Sequence, residues 1–317
     1  NGKVAIELST LKTICNFGLF TKVSDTFKIA LSPDSQNQVL SEFNTIENQK
    51  KLQDWNKELH EILKSDDFKK EDININAKNR DDFSLAALTL SIEKKLPLYS
   101  DDRVIQIATL NDKSQIKGFS TDIFIDTLYY QKKLSIEELT NIYLQFISWR
   151  YKFVVPPTDV LEYLAAQYFA SPPGDELRTI AMYAHKCMCD PGLFCGPEKT
   201  AHLPLPIAAK LYIDWLNLTT DFIVKCWTNP NSNEKSADIF TDWALLNLLP
   251  SVPKYIADGG YRLANMTKRM VLGHAITQLM TFGDIDIGNK VLLLLKHKLD
   301  LNDIEYNRVV SETLDAI

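Results

Sequence analysis

The sequence predicts an α/β domain built on a parallel sheet flanked by helices, followed by an all-helical C-terminal domain. Three observations predict it. Short β-rich runs alternate with helical apolar patterns over residues 1 to 155, the arrangement of a parallel sheet with helices on its faces. From Thr158 onward period-two alternation almost disappears and helical spacing dominates. Between the two lies Ser171-Pro172-Pro173-Gly174-Asp175, where two prolines and a glycine break a helix and favour an extended linker. Domains at 1–170 and 171–317 follow, and a chain of 317 residues accommodates a core in each.

Taken in order, Val4-Ala5-Ile6-Glu7-Leu8 reads as a strand, with Ser9 as the N-cap of a helix carrying Leu11, Ile14, Cys15 and Leu19. Phe27 to Leu31 is a second strand, and Ser32-Pro33-Asp34 then opens a helix in the way a first-turn proline does. From Val39 to Lys64, Leu40, Phe43, Ile46, Leu52, Leu59 and Ile62 are spaced by Lys, Glu and Gln, the pattern of a long, largely solvated helix. Residues 65–80, rich in Asp, Lys and Asn, read as a loop. Asp82 to Leu88 starts a helix with acids at its first turn, and Leu96 to Ser100 is a brief buried strand behind it. Asp101-Asp102-Arg103 closes that strand and opens a helix from Val104 to Leu110.

Ile116 to Phe119 forms a further strand, with Ser120-Thr121-Asp122 capping a helix to about Gln131. Ser135 and Glu138 make a capping-box pattern for a helix ending near Trp149, and Phe153-Val154-Val155 is strand-like. Beyond it the helical stretches are Leu205 to Trp227, Ile239 to Leu249 and Tyr255 to Phe282. No repeat at solenoid periods is visible.

Apolar residues at 45% and charged residues at 24% describe a folded chain. The net charge of −6 excludes a molecule that binds phosphate backbones over its whole surface, so any nucleic-acid contact is local. Apolar runs such as Val291 to Leu295 fall far short of the roughly 20 residues that cross a bilayer, and no membrane association is expected. Five cysteines, an odd number, with no basic-then-apolar leader before them, favour a reducing, cytoplasmic compartment. Opening at Asn1 leaves room for upstream sequence.

In an open α/β sheet the ligand site lies beyond the carboxyl ends of the strands. Glu7 ends the first strand, and Asp101 and Asp102 end the Leu96–Ser100 strand. Asp82 heads the helix leading into that strand, and Glu42 sits in the helix after the second strand. Carboxylates converging at one edge repel unless a cation bridges them, and hard oxygen ligands suit Mg2+ or Mn2+.

This series resembles the PIN domain family, which includes the ribonuclease toxins of bacterial toxin–antitoxin pairs. The family pattern is an acid after strand one, a Glu in the helix after strand two, an acid heading a small-residue helix, then Leu-Pro-Leu followed by Ser/Thr-x-Asp. Here it reads Glu7, Glu42, Asp82 before Ala86-Ala87, and Leu96-Pro97-Leu98-Tyr99-Ser100-Asp101-Asp102. The resemblance covers residues 1 to 155. It departs from the family at Glu7, where Asp is usual, and in the third motif, whose usual spacing back from Asp102 falls nearer Ser84, with Asp81 adjacent.

The resemblance implies a metal-dependent endoribonuclease, a toxin or conflict-system effector, acting on single-stranded RNA. Glu7, Glu42, Asp82, Asp101 and Asp102 would ligate Mg2+ or Mn2+, Ser100 would orient a ligand or the water, and Arg103 would contact a phosphate. Two rivals are a PIN fold whose chemistry has lapsed into an interaction module and a structure-specific DNA nuclease.

His185, Cys187, Cys189, Cys195 and His202 fall within 18 residues and could hold zinc, although Cys-x-Cys is not the usual ligand spacing. Trp215, Trp227, Trp243, Tyr255 and Tyr261 read as core at helical spacing, with base stacking the rival role. Lys50 to Lys70 is interleaved with acids and reads as a solvated face. Content in Trp, Tyr and Leu suits the helical domain to docking on another protein or on itself.

Overall fold

The computed structural model describes residues 2–35, 61–64, 68–70, 83–102, 105, 117–149, 151, 154–168, 174–188, 205–249 and 260–317. They divide into two compact units, Asn1–Gln131 and Lys132–Ile317.

The first unit holds a parallel sheet of β1 (Gly2–Ile6), β2 (Phe27–Leu31), β3 (Phe68–Lys70), β4 (Leu98–Tyr99) and β5 (Gly118–Phe119) in the order β3-β2-β1-β4-β5. The central strand β1 ends in Val4-Ala5-Ile6, all fully buried, as a strand covered on both faces requires. Ala5 pairs with Ala30 and Leu98, and Ile6 with Tyr99. The first three strands step outward on one side of β1 while β4 and β5 lie on the other. The order therefore reverses between β1 and β4, the switch point at which such sheets open a crevice.

Helices α1 (Leu8–Asn16), α2 (Phe20–Thr26), α3 (Phe83–Lys94) and α4 (Thr121–Tyr130) accompany the sheet. α3 packs on β1 and β4, and its Leu90 meets Ala5 and Ala30, where small side chains let helix and sheet approach closely. Phe27, Tyr99, Phe119 and Phe124 form an aromatic cluster with centroids 4.5 to 5.8 Å apart.

Several expectations are corrected. The helix does not run through Leu19: α1 ends at Asn16, because Gly18 adopts φ +65° and the N–H groups of Gly18 and Leu19 bond to the carbonyls of Cys15 and Ile14. That pair of bonds is a Schellman stop, which needs the left-handed residue glycine supplies. Glu7, not Ser9, is the N-cap residue, and Ser9 lies inside the helix. The stretch read as a loop contains β3, a three-residue edge strand too short to carry a periodic signal. Val154 and Val155 form no strand; Pro156-Pro157 follows, and neither proline has an N–H to offer a ladder.

The second unit is helical among its described residues: α5 (Ile136–Ser148), α6 (Thr158–Ala166), α7 (Asp175–Met188), α8 (Leu205–Thr228), α9 (Glu234–Asn247), α10 (Gly260–Phe282), α11 (Ile285–Lys298) and α12 (Asp303–Ala316). α5 opens with the capping box expected at Ser135 and Glu138. α8 is the hub, packing against α6, α9, α10 and α11, with Trp215, Leu216, Phe222 and Ile223 fully buried on its faces. Trp227 and Trp243 are half-buried. α5 and α6, which the linker signal assigned to the first domain, belong to this unit because α5 packs on α6 and α7. Among the described residues no helix is long and apolar enough to cross a membrane.

Candidate functional site

Four polar residues each follow the last residue of a strand: Ser32 after β2, Glu7 after β1, Ser100 after β4 and Ser120 after β5. They line the carboxyl edge of the sheet across its switch point. Backbone bonds fix the row, with Glu7 N–H donating to Tyr99 O at 2.8 Å and Ser100 N–H donating to Phe119 O at 3.0 Å. Glu7 and Ser120 are also N-cap residues and Ser32 precedes a helical turn, so at these three positions strand end and helix start are the same few atoms. Ser32 accepts the N–H of Ser35 at 3.1 Å, which confirms the helix start expected at Ser32-Pro33-Asp34.

Ser100 is fully buried and central. Its hydroxyl donates to Glu7 Oε2 and accepts the N–H of Asp102 at 3.1 Å. Ser9 donates to the other Glu7 oxygen, Oε1, at 2.6 Å. The half-buried Glu7 carboxylate is thus oriented by one serine on each oxygen. Asp102 is exposed, and its Oδ1 accepts the N–H of Ile105 at 3.3 Å, the reach of an N-cap to the first turn it heads.

Asp101 is placed differently. Its Oδ1 accepts the N–H of Thr121 at 2.7 Å and its Oδ2 accepts the Thr121 hydroxyl at 2.8 Å, while its own N–H donates to Thr10 Oγ1 at 2.8 Å. Thr10 and Thr121 are fully buried. Ser120 is the N-cap residue of α4 but does not cap it with its side chain; its hydroxyl donates to Asp122 instead.

The structure therefore brings Glu7, Ser100, Asp101 and Asp102 together at one edge. Glu42, Asp82, Asp81 and Arg103 lie outside the described residues, and Ser84 lies in α3. Among the described residues no three His, Cys, Asp or Glu side chains form a group that could hold a metal ion. Glu7 and Asp102, which flank Ser100 at this edge, offer hard oxygens of the kind that suit Mg2+ or Mn2+.

Sequence reading missed Thr10, Thr121 and Asp122. The strand-end rule that found Asp102 applies equally after β5 and would have found the last two; Thr10 carries no sequence signal of its own.

Of the proposed zinc ligands, Cys189, Cys195 and His202 lie outside the described residues, whereas Cys187 lies in α7 and His185 is exposed on it. Cys15 and Cys226 are buried. Burial, with the nearby Glu162 charge adding to it, pushes the Cys226 thiol far above the ordinary cysteine range, so it behaves as inert core. No protein-family model matches this chain, and neither a curated protein nor a solved structure matches it.

Proposed function

We propose that the chain is a PIN-like metal-dependent endoribonuclease that hydrolyses phosphodiester bonds in single-stranded RNA. The observation carrying this reading is the convergence of Glu7 and Ser100–Asp102 at the switch point of a parallel sheet, with the buried Ser100 hydroxyl bonded to the Glu7 carboxylate and to the Asp102 backbone. Glu7 and Asp102 would hold Mg2+ or Mn2+, and the family resemblance adds Glu42 and Asp82. When bound, the ion supplies an activated water and stabilisation of the charge developing on phosphate. Ser100 fixes the Glu7 carboxylate and the Asp102 backbone, so the ligand geometry exists before substrate arrives.

The test is cleavage of single-stranded RNA with Mn2+ by the protein and by Asp102→Asn. The variant still offers an acceptor to the Ile105 N–H, so folding is kept, and cleavage is expected to fall by about 100-fold or more. Equal rates for both proteins would sink the assignment. Parallel reactions on single-stranded DNA and flapped duplexes separate an RNA from a DNA enzyme.

A second reading, a lapsed PIN fold serving as an interaction module, is favoured by the two serines that already satisfy both Glu7 oxygens. Calorimetry distinguishes the two: the module reading requires no Mn2+ binding that Asp102→Asn abolishes.

A further inference from the structure

We infer that Asp101 is a positioning residue and not a metal ligand: it straps the segment after β4 to the start of α4, and so holds Ser100 and Asp102 where the site needs them. This rests on the nuclease reading above. Three bonds carry it. Both carboxylate oxygens are engaged by one residue, Thr121, through its backbone N–H at 2.7 Å and its hydroxyl at 2.8 Å. The Asp101 N–H is anchored on Thr10 of α1 at 2.8 Å.

The strap has a structural reason. The first N–H groups of a helix need acceptors, and Ser120, the residue placed to provide one for α4, turns its hydroxyl to Asp122. Asp101, from the segment after β4, supplies an acceptor for the first of these N–H groups, that of Thr121, with its negative charge at the positive end of α4. Both anchor residues are fully buried and Asp101 is half-buried, so the bonds are partly shielded from water. A residue fixed on both sides in this way fixes its neighbours. Ser100 on one side reaches Glu7, and Asp102 on the other carries the exposed carboxylate. The Asp101 carboxylate, by contrast, is aimed at the helix start.

The distinction is testable because a ligand and a strap respond oppositely to loss of charge. Asparagine retains Oδ1 for the Thr121 N–H, and its Nδ2 donates to the Thr121 hydroxyl once that hydroxyl turns round. Asp101→Asn is therefore expected to keep Mn2+ affinity and cleavage within about threefold of the parent, whereas Asp102→Asn loses both by about 100-fold. Asp101→Ala breaks both bonds, and cleavage is expected to fall by about 10- to 100-fold, with the Thr121 amide exchanging with solvent faster by at least a similar factor. Asp101→Asn losing Mn2+ binding as fully as Asp102→Asn would overturn the proposal. If Asp101→Ala does not fold, Asp101→Asn and Thr121→Val decide it, the latter expected to impair cleavage with the carboxylate intact. If the parent neither binds Mn2+ nor cleaves RNA, the nuclease reading fails separately. The strap then stands or falls on the Thr121 amide: protection in the parent and in Asp101→Asn upholds it, and free exchange in the parent overturns it.

Discussion

In the α/β unit two side chains after β4 bond to partners far along the chain, Ser100 to Glu7 and Asp101 to Thr121. In the helical unit the buried threonines Thr219, Thr220 and Thr241 return their hydroxyls to carbonyls of their own helix, those of Trp215, Leu216 and Ala237. Several charged groups of that unit pair between helices. Lys225 of α8 meets Asp159 and Glu162 of α6, Lys298 of α11 meets Asp238 and Asp242 of α9, and His274 of α10 meets Asp221 of α8. A hydroxyl satisfied within its own turn is committed to the helix. The Glu7 carboxylate is instead oriented in part by Ser100, from a segment 93 residues away. The proposed site draws on the long-range kind of bonding, and the second unit is organised by packing between its helices.

The largest effect that would break this contrast is expected at Trp215, fully buried on α8. Trp215→Ala should cost about 3–5 kcal/mol, read as a shift of the urea midpoint followed by circular dichroism. A loss under about 1 kcal/mol would mean that the helical unit is not organised around α8.

Ser100→Ala comes next. It leaves Glu7 Oε2 and the Asp102 N–H without the hydroxyl that joins them, a cost of about 1–3 kcal/mol. Cleavage should fall by about 10- to 100-fold. A variant destabilised to that extent but fully active would place the chemistry elsewhere.

The smallest effect concerns the inter-helix charges. Burial pulls the Lys298 ammonium down, but its hydrogen bonds to Asp238 and Asp242 and their charges prevail, so it titrates above the ordinary lysine range. Its contribution is therefore complete below about pH 10.4, where the unfolded amine titrates, and disappears as the pH rises through the higher folded value. Both acids are well exposed, so the contribution is held to about 1 kcal/mol or less. Lys298→Met should lower stability by that amount at pH 8, with the gap from the parent closing in strongly alkaline solution. A gap unchanged at pH 11 would assign the effect to packing of the side-chain stem.

Much of this was legible in the sequence. β1, β2 and the Leu96–Ser100 segment announce themselves because buried parallel strands are continuous apolar runs. The placement of Glu7, Ser100 and Asp102 after the carboxyl ends of β1 and β4 was legible because each follows an apolar run. Ser135 and Glu138 state their cap in side-chain chemistry alone, and the structure forms that box. What escaped was what depends on neighbours distant in the chain. The Gly18 stop splits a continuous apolar pattern into two helices, because the left-handed turn outweighs periodicity. β3 exists through pairing with β2, and Asp101 looks from sequence like any first-turn acid until Thr121 is seen to claim it.

The order of the strands also has a consequence in time. Ser100 and Glu7 are separated by 93 residues, and β1 remains without its β4 neighbour until the chain has been made through Tyr99. As the polypeptide emerges amino end first, Glu7 and Thr10 wait for their partners, and the site closes only when the later strand arrives. Contacts of such long loop length form slowly. A nascent chain would therefore carry Glu7 well before Ser100 arrives to orient it, so a site built on that pair, as the proposed nuclease reading requires, is incomplete until β4 has been made.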